Sequence, residues 1–250
     1  MSKINTNAID ADGTLTLGAS GDSVTIPSGA TLKTNKILDS GGNNIITSDG
    51  SGALTINSAM AGDFSLLNTS TFVDQASTVF TTSITGFNST YNLYLFKIIG
   101  VFPVDDAGSA TLKVGFSDDA GSSYTTTKTT TLLTILREFA GSAYSGSVAV
   151  SNTFTQSAGT GDAVISTSDN DGTTNSWNGD MWLWTPSSTT YYKMFSSSIL
   201  GQQVTGGGLN SAYWELGNGY IGSSSVDIDA VKFHSSDGNI SGTVKLYGVA

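Results

Sequence analysis

The 250-residue chain contains no cysteine. That absence excludes a disulfide framework, a thiolate nucleophile and any Cys-ligated zinc or iron–sulfur centre, so stability has to come from packing or assembly. Proline is scarce, three residues against thirty glycines, and the only glutamates are Glu138 and Glu215. With few helix formers and abundant Ser, Thr and Gly, the chain reads as nearly all β. Long apolar runs are missing as well. The most apolar stretch, YNLYLFKIIGVFPV (91–104), is interrupted by Lys97 and is too short for a bilayer-spanning helix, and the N-terminal MSKINTNAIDADG has no secretory apolar run. A soluble protein without membrane insertion is expected. Basic residues are outnumbered, 10 Lys and Arg against 20 Asp and Glu, for a formal net charge of -10. That balance repels phosphate backbones, so nucleic acid is not an expected partner.

The length suffices for one large all-β domain, or for a domain with an extended appendage. The first 58 residues lack aromatics altogether, and their apolar residues come in brief pairs: TLTLG, SVTIP, ATLKT, NKILDS, NNIIT and ALTIN. Each reads as a tiny strand cut off by Gly, Asp, Asn or Ser. Leu15, Leu17, Val24, Ile26, Leu32, Ile37, Ile45, Leu54 and Ile56 are the core candidates. They are too few to offset an ordering entropy of roughly 1–2 kcal/mol per residue within one chain. Their two-residue alternation with Thr and Ser nevertheless has to face an apolar partner. The expectation is that several copies wind together, giving a trimeric β stem over residues 1–58.

The texture changes across NSAMAGDFSLLNTS, and residues 59–70 are expected to be a linker. From residue 71 to 250 aromatics are frequent and strands are longer. Candidates run from Thr78 to Ile84, Leu93 to Val101, Ala110 to Ser117, Thr129 to Leu136, Ser147 to Phe154, Asp162 to Thr167, Asp180 to Thr185, Tyr191 to Ser196, Ala212 to Leu216, Val226 to Phe233 and Gly242 to Val249. Turn signals such as DDAGSS and SSDGN between them have the spacing of a β-sandwich or jelly roll. TLLTILREF (131–139) is the one stretch where a short helix is plausible. VDIDAVKF and GTVKLYGV read as two strands joined through the turn Asp237-Gly238-Asn239, with the last strand closing the sandwich. In that strand Val244 and Leu246 are expected to face the core while Lys245 and Tyr247 face away.

Catalysis has little to work with. His234, the only histidine, stands beside Ser235, Ser236 and Asp237, too close in sequence to assemble a triad. No GxSxG, Walker loop or HExxH motif occurs. Asp105/Asp106, Asp118/Asp119, Asp169/Asp171 and Asp227/Asp229 are paired carboxylates, but no spacing selects two that would flank a glycosidic bond. The acidic turn DNDGTTN lacks the spacing and closing Glu of an EF-hand, and its aspartates read as solvated turn residues. Neither an enzyme, a cofactor nor a metal site is expected. The aromatic segment SWNGDMWLWTPSSTTYYKMF (176–195) puts Trp182 and Trp184 on one strand face and Met181 and Leu183 on the other. Trp182 and Trp184 are read as core. Trp177, in the loop TTNSWNGD with Asn175 and Asn178 beside it, is the candidate for an exposed glycan contact.

Three stretches together, YNLYLFKIIGVFPVDDAGSATLKVGFSDDAGSSY (91–124), GDMWLWTPSSTTYYK (179–193) and VDIDAVKFHSSDGNISGTVKLYGVA (226–250), resemble a known family. It is the C-terminal β-sandwich domain of many tail-fibre and other virion structural proteins of tailed bacteriophages, notably marine ones. There an apolar strand leads to a Pro turn and then to GSSY, a later strand is followed by Pro and Tyr-Lys, and the chain closes on SGNI, GT and LYG. Here the closing motif reads Asp237-Gly238-Asn239-Ile240-Ser241-Gly242-Thr243 and Leu246-Tyr247-Gly248. NKILDSGGNNIITSDGSGALTIN (35–57) is similar to a fibre-stem segment. One departure is Asp119-Ala120-Gly121, where the family more often has a Gly-Gly pair. The resemblance implies a virion protein and a trimeric assembly; the expectation built on it is a homotrimer anchored to another virion protein through its N-terminal stem and displaying its head for contact with a host-surface glycan. A capsid head fibre or decoration protein, or a free carbohydrate-binding module, are the alternatives.

Overall fold

The computed structural model describes residues 36–38, 44–48, 54–56, 64–82, 87, 90–104, 110–140, 143–150, 156–167, 176–205, 208–222 and 226–249. The chain divides into two units, Met1–Met60 and Ala61–Ala250. In the first, β1 (Lys36–Leu38), β2 (Asn44–Ser48) and β3 (Leu54–Ile56) form an antiparallel meander. Its register sets Ile37 opposite Ile46 and Ile46 opposite Ile56. These strands fall on NKILDS, NNIIT and ALTIN; TLTLG, SVTIP and ATLKT lie outside the described residues. Ile37 and Leu38 point to opposite faces of β1, yet they are 41% and 48% exposed, so neither face of that strand is fully covered by the described residues.

The second unit contains β4 (Phe64–Gln75), β5 (Thr78–Thr81), β6 (Leu93–Pro103), β7 (Leu112–Ser117), β8 (Lys128–Ala140), β9 (Ala143–Val150), β10 (Gln156–Gly159), β11 (Ala163–Ser166), β12 (Trp177–Trp184), β13 (Lys193–Thr205), β14 (Gly208–Ile221), β15 (Ala230–Ser235) and β16 (Ile240–Val249). The larger sheet runs β10-β8-β14-β13-β12-β6-β16-β4, with β9 also paired to β8, and the smaller runs β11-β7-β15-β5. Every pairing is antiparallel. Alternation along each strand sends one set of residues inward: Tyr94, Phe96 and Ile98 on β6, Val231 and Phe233 on β15, Val244 and Leu246 on β16. Rings meet between the sheets, Phe80 with Phe96 at 5.4 Å, Phe96 with Phe233 at 5.3 Å and Phe116 with Phe195 at 5.1 Å between centroids. Such tilted and edge-on aromatic pairs add packing specificity to the area they bury.

Three expectations are corrected by this topology. The linker expected at 59–70 is in large part strand, because β4 begins at Phe64 and pairs with β16 from Phe64↔Val249 onward. The helix considered at 131–139 is the middle of β8, flanked by β14 on one side and β9 on the other. The turn 237–239 does not make a hairpin: β15 pairs with β7 and β5, whereas β16 pairs with β6 and β4. It carries the chain from one sheet to the other, with Gly238 at φ 66, a conformation glycine adopts without Cβ strain. Both Phe233 and Ile240 thereby reach the core from opposite layers.

Candidate functional site

Trp177 is completely buried, at 0% exposure, which overturns its expected role as an exposed glycan contact. It belongs to β12 rather than to a loop, and residues 177, 181 and 183 share one strand face, so Trp177 goes into the core with Met181 and Leu183. Asn178 is engaged by its own chain: its Oδ1 accepts from the Gly100 amide at 2.8 Å and its Nδ2 donates to Ser176 Oγ at 2.8 Å. Asn175 lies outside the described residues. Asp105, Asp106, Asp169 and Asp171 do too.

The opposite face of β12 carries the other two tryptophans, correcting their assignment to the core. Trp182 and Trp184 stack on each other at 6.5 Å and 24°, and Phe64 meets Trp182 edge-on at 6.2 Å. Trp184 is 37% exposed. On β14, Trp214 lies exposed with its Nε1 donating to Ser198 Oγ at 2.8 Å. The aromatic surface of this unit is therefore the outer face of the large sheet and the loops at its end.

Those loops enclose a groove of about 520 Å³ between Asp118, residues 125–127, Tyr192, Ile221, Gly222, Val226 and Ile228. Asp118, Thr125, Thr127 and Tyr192 line it, above an apolar floor of Ile221 and Ile228. Tyr192 is 56% exposed and packs edge-on against Tyr220 at 5.7 Å. The loop that presents it is built from the chain's own hydrogen bonds. Thr185 N donates to Asn92 O, Pro186 O accepts from Ile228 N, and Ser188 Oγ accepts from the amides of Thr190 and Tyr191. Across the groove, Gly222 N donates to Thr127 O at 2.5 Å and Thr126 Oγ1 donates to Phe116 O at 2.9 Å.

The wall bearing Asp118 is organised by its neighbour. Asp119 accepts at its carboxylate from Ser123 N, Ser123 Oγ and Ser117 Oγ, all at 2.7–2.8 Å. These bonds, led by the Ser123 amide, hold its carboxyl below the ordinary value. Ala120 and Gly121 follow at φ 59 and 85, and the Ala120 amide donates to Asp229 Oδ2 at 2.8 Å. Asp227 and Asp229 precede β15, which corrects the strand expected from Val226 onward.

On the outer face of the small sheet sits a compact charged cluster. Asp162 Oδ2 takes His234 Nε2 at 2.7 Å and Lys232 Nζ at 3.0 Å, and His234 Nδ1 faces the Ser235 carbonyl at 2.7 Å. Both imidazole nitrogens thus face acceptor oxygens, leaving neither lone pair directed at a nucleophile. Burial raises the Asp162 carboxyl, but the hydrogen bonds and charges of His234 and Lys232 outweigh it and hold the group below its usual value. Gly115 makes room for this carboxylate, since a Cβ there would come within 2.7 Å of Asp162 Oδ1. Lys128 anchors the same segment by donating to Gly161 O at 2.8 Å, and burial lowers its ammonium. The arrangement ties chain segments together. Among the described residues, no group of three or more His, Cys, Asp or Glu side chains is placed to hold a metal ion.

Comparison with protein-family models, with curated proteins and with solved structures found no match to this chain.

Proposed function

We propose that the chain is a non-catalytic structural protein of a tailed-phage virion, a homotrimeric fibre whose N-terminal β stem joins another virion protein and whose head contacts the host surface. The observation that carries this reading is strand β1, which exposes both Ile37 and Leu38; the apolar face of a small sheet has to be covered by a further layer. Identical chains supply that layer at the same positions. The resemblance of residues 91–124, 179–193 and 226–250 to virion β-sandwich domains supports the same assignment.

The head is read as an elaborated jelly roll. Strands β4-β16-β6-β12 face β5-β15-β7-β11, and β4 to β7, like β15 and β16, alternate between the sheets, as two interlocked Greek keys require. In this reading β8–β10 and β13–β14 are insertions that widen one sheet. Light scattering after size exclusion tests the assembly. The intact chain should have three times the monomer mass, and removal of residues 1–58 should yield a folded monomer. A monomeric intact chain overturns the fibre.

A further inference from the structure

We propose that the groove between Asp118, Thr125, Thr127 and Tyr192 is an oligosaccharide-binding site, selective for uncharged sugars. The proposal rests on the contact role given to the head above. It places that role at residues to which neither the resemblance nor the sequence assigns a contact.

Four observations converge on this groove. Its volume, about 520 Å³, lies within the roughly 300–1,000 Å³ of small-ligand sites. Tyr192 offers a half-open ring face, fixed by Tyr220 behind it and by the Ser188-capped loop that carries it. A ring held in place before binding stacks on the apolar face of a pyranose without paying for ordering of the loop. Opposite the ring, the Thr125 and Thr127 side chains and the exposed Asp118 carboxylate offer acceptors and donors for sugar hydroxyls.

The chemistry of the walls narrows the class. A peptide adding itself as a strand needs free backbone N–H and C=O groups, but across this groove Gly222 N and Thr127 O bond each other. An acidic sugar would meet Asp118 on a chain of net charge -10, with like-charge repulsion and no lysine among the described residues that line the groove. An uncharged saccharide meets neither obstacle.

The test uses the full-length chain on an array of neutral oligosaccharides printed beside sialylated and sulfated ones, followed by calorimetric titration with the best neutral sugar. Tyr192→Ala should weaken binding roughly tenfold, from lost stacking, and Tyr192→Phe should leave it within about twofold, since the ring face remains. Asp118→Asn should weaken it by about fivefold or more, from loss of charge-assisted hydrogen bonds. Both residues changed are at the surface, so melting temperatures of all three variants should match the parent protein. No array signal, binding restricted to acidic sugars, or neutral binding indifferent to Tyr192→Ala each overturns the groove. A trimer without sugar binding refutes the groove alone, whereas a sugar-binding monomer refutes the fibre alone.

Discussion

Glu215 shows how a carboxylate can be placed inside an all-β core. It is completely buried, and its oxygens accept from Ser166 Oγ, Thr167 N, Thr167 Oγ1 and Thr134 Oγ1. These donors belong to β11 and the residue after it and to β8, so the side chain on β14 clamps the small sheet to the widened end of the large one. Glu215→Ala would leave several buried donors unpaired, at on the order of 3 kcal/mol or more in total; urea denaturation should show a lower midpoint with an unchanged slope. Asp162 gives a pH signature instead. Its folded value lies below the ordinary 3.8, so its contribution is fully present above that unfolded value and is lost as pH falls through the folded one. The carboxylate's share of the stability gap between the parent protein and Asp162→Asn should be present at pH values above about 4 and should be lost as pH falls through the folded value. Ala120 is a position where side chain and backbone disagree. Its φ of 59 carries a left-handed cost of about 1–2 kcal/mol, offset in part by the greater unfolded freedom of glycine. Ala120→Gly is therefore expected to leave the melting temperature equal or slightly higher.

Among the strands, β16 has the most to lose. It lies between β4 and β6, so it is an interior strand of the large sheet and not an edge. Val244 and Leu246 are buried, and Lys245 and Tyr247 lie on the half-buried opposite face. Deleting residues 245–250 would uncover the edges of two strands and remove Leu246, whose burial contributes roughly 1.5–3 kcal/mol. Loss of soluble expression is the expected result, and a soluble product with an unchanged melting temperature would rule the account out. Each of the eleven strand stretches proposed from the sequence overlaps an observed strand, since β-branched and aromatic runs between Gly and Asp turns carry their own signal. Residues 226–229 nevertheless precede β15, and parts of the stretches from Thr78 to Ile84 and Ser147 to Phe154 lie outside the described residues. β4 went unread because FSLLNTSTFVDQ looks like a polar connector until β16 and its backbone groups are beside it. The considered helix at 131–139 failed for the matching reason, since pairing on both sides of β8 overrides a mild helical preference.

The two units should also separate in their thermodynamics. The head owns a continuous core and is expected to melt at a temperature independent of protein concentration. The first unit, if its apolar residues are shared among copies, should melt at a temperature that rises with concentration, because association stabilises the folded state by mass action. Calorimetry of the intact chain across a hundredfold concentration range separates the two. A single concentration-independent transition would argue that the units fold together within one chain.

All-β character was legible in the composition, because scarce helix formers and abundant Ser, Thr and Gly act residue by residue without knowledge of neighbours. So was the pairing of faces along β12: Trp182 with Trp184, Met181 with Leu183. Which face turns inward was not legible, because a two-residue period is symmetric until a second sheet covers one side. Packing against the small sheet chose Met181 and Leu183, took Trp177 with them by parity, and left the paired tryptophans outside. The groove and the Asp162 cluster were out of reach for a stronger reason. Asp118 and Tyr192, or Asp162 and His234, are some seventy positions apart, and only strand order and register bring such residues to one groove or into one hydrogen bond.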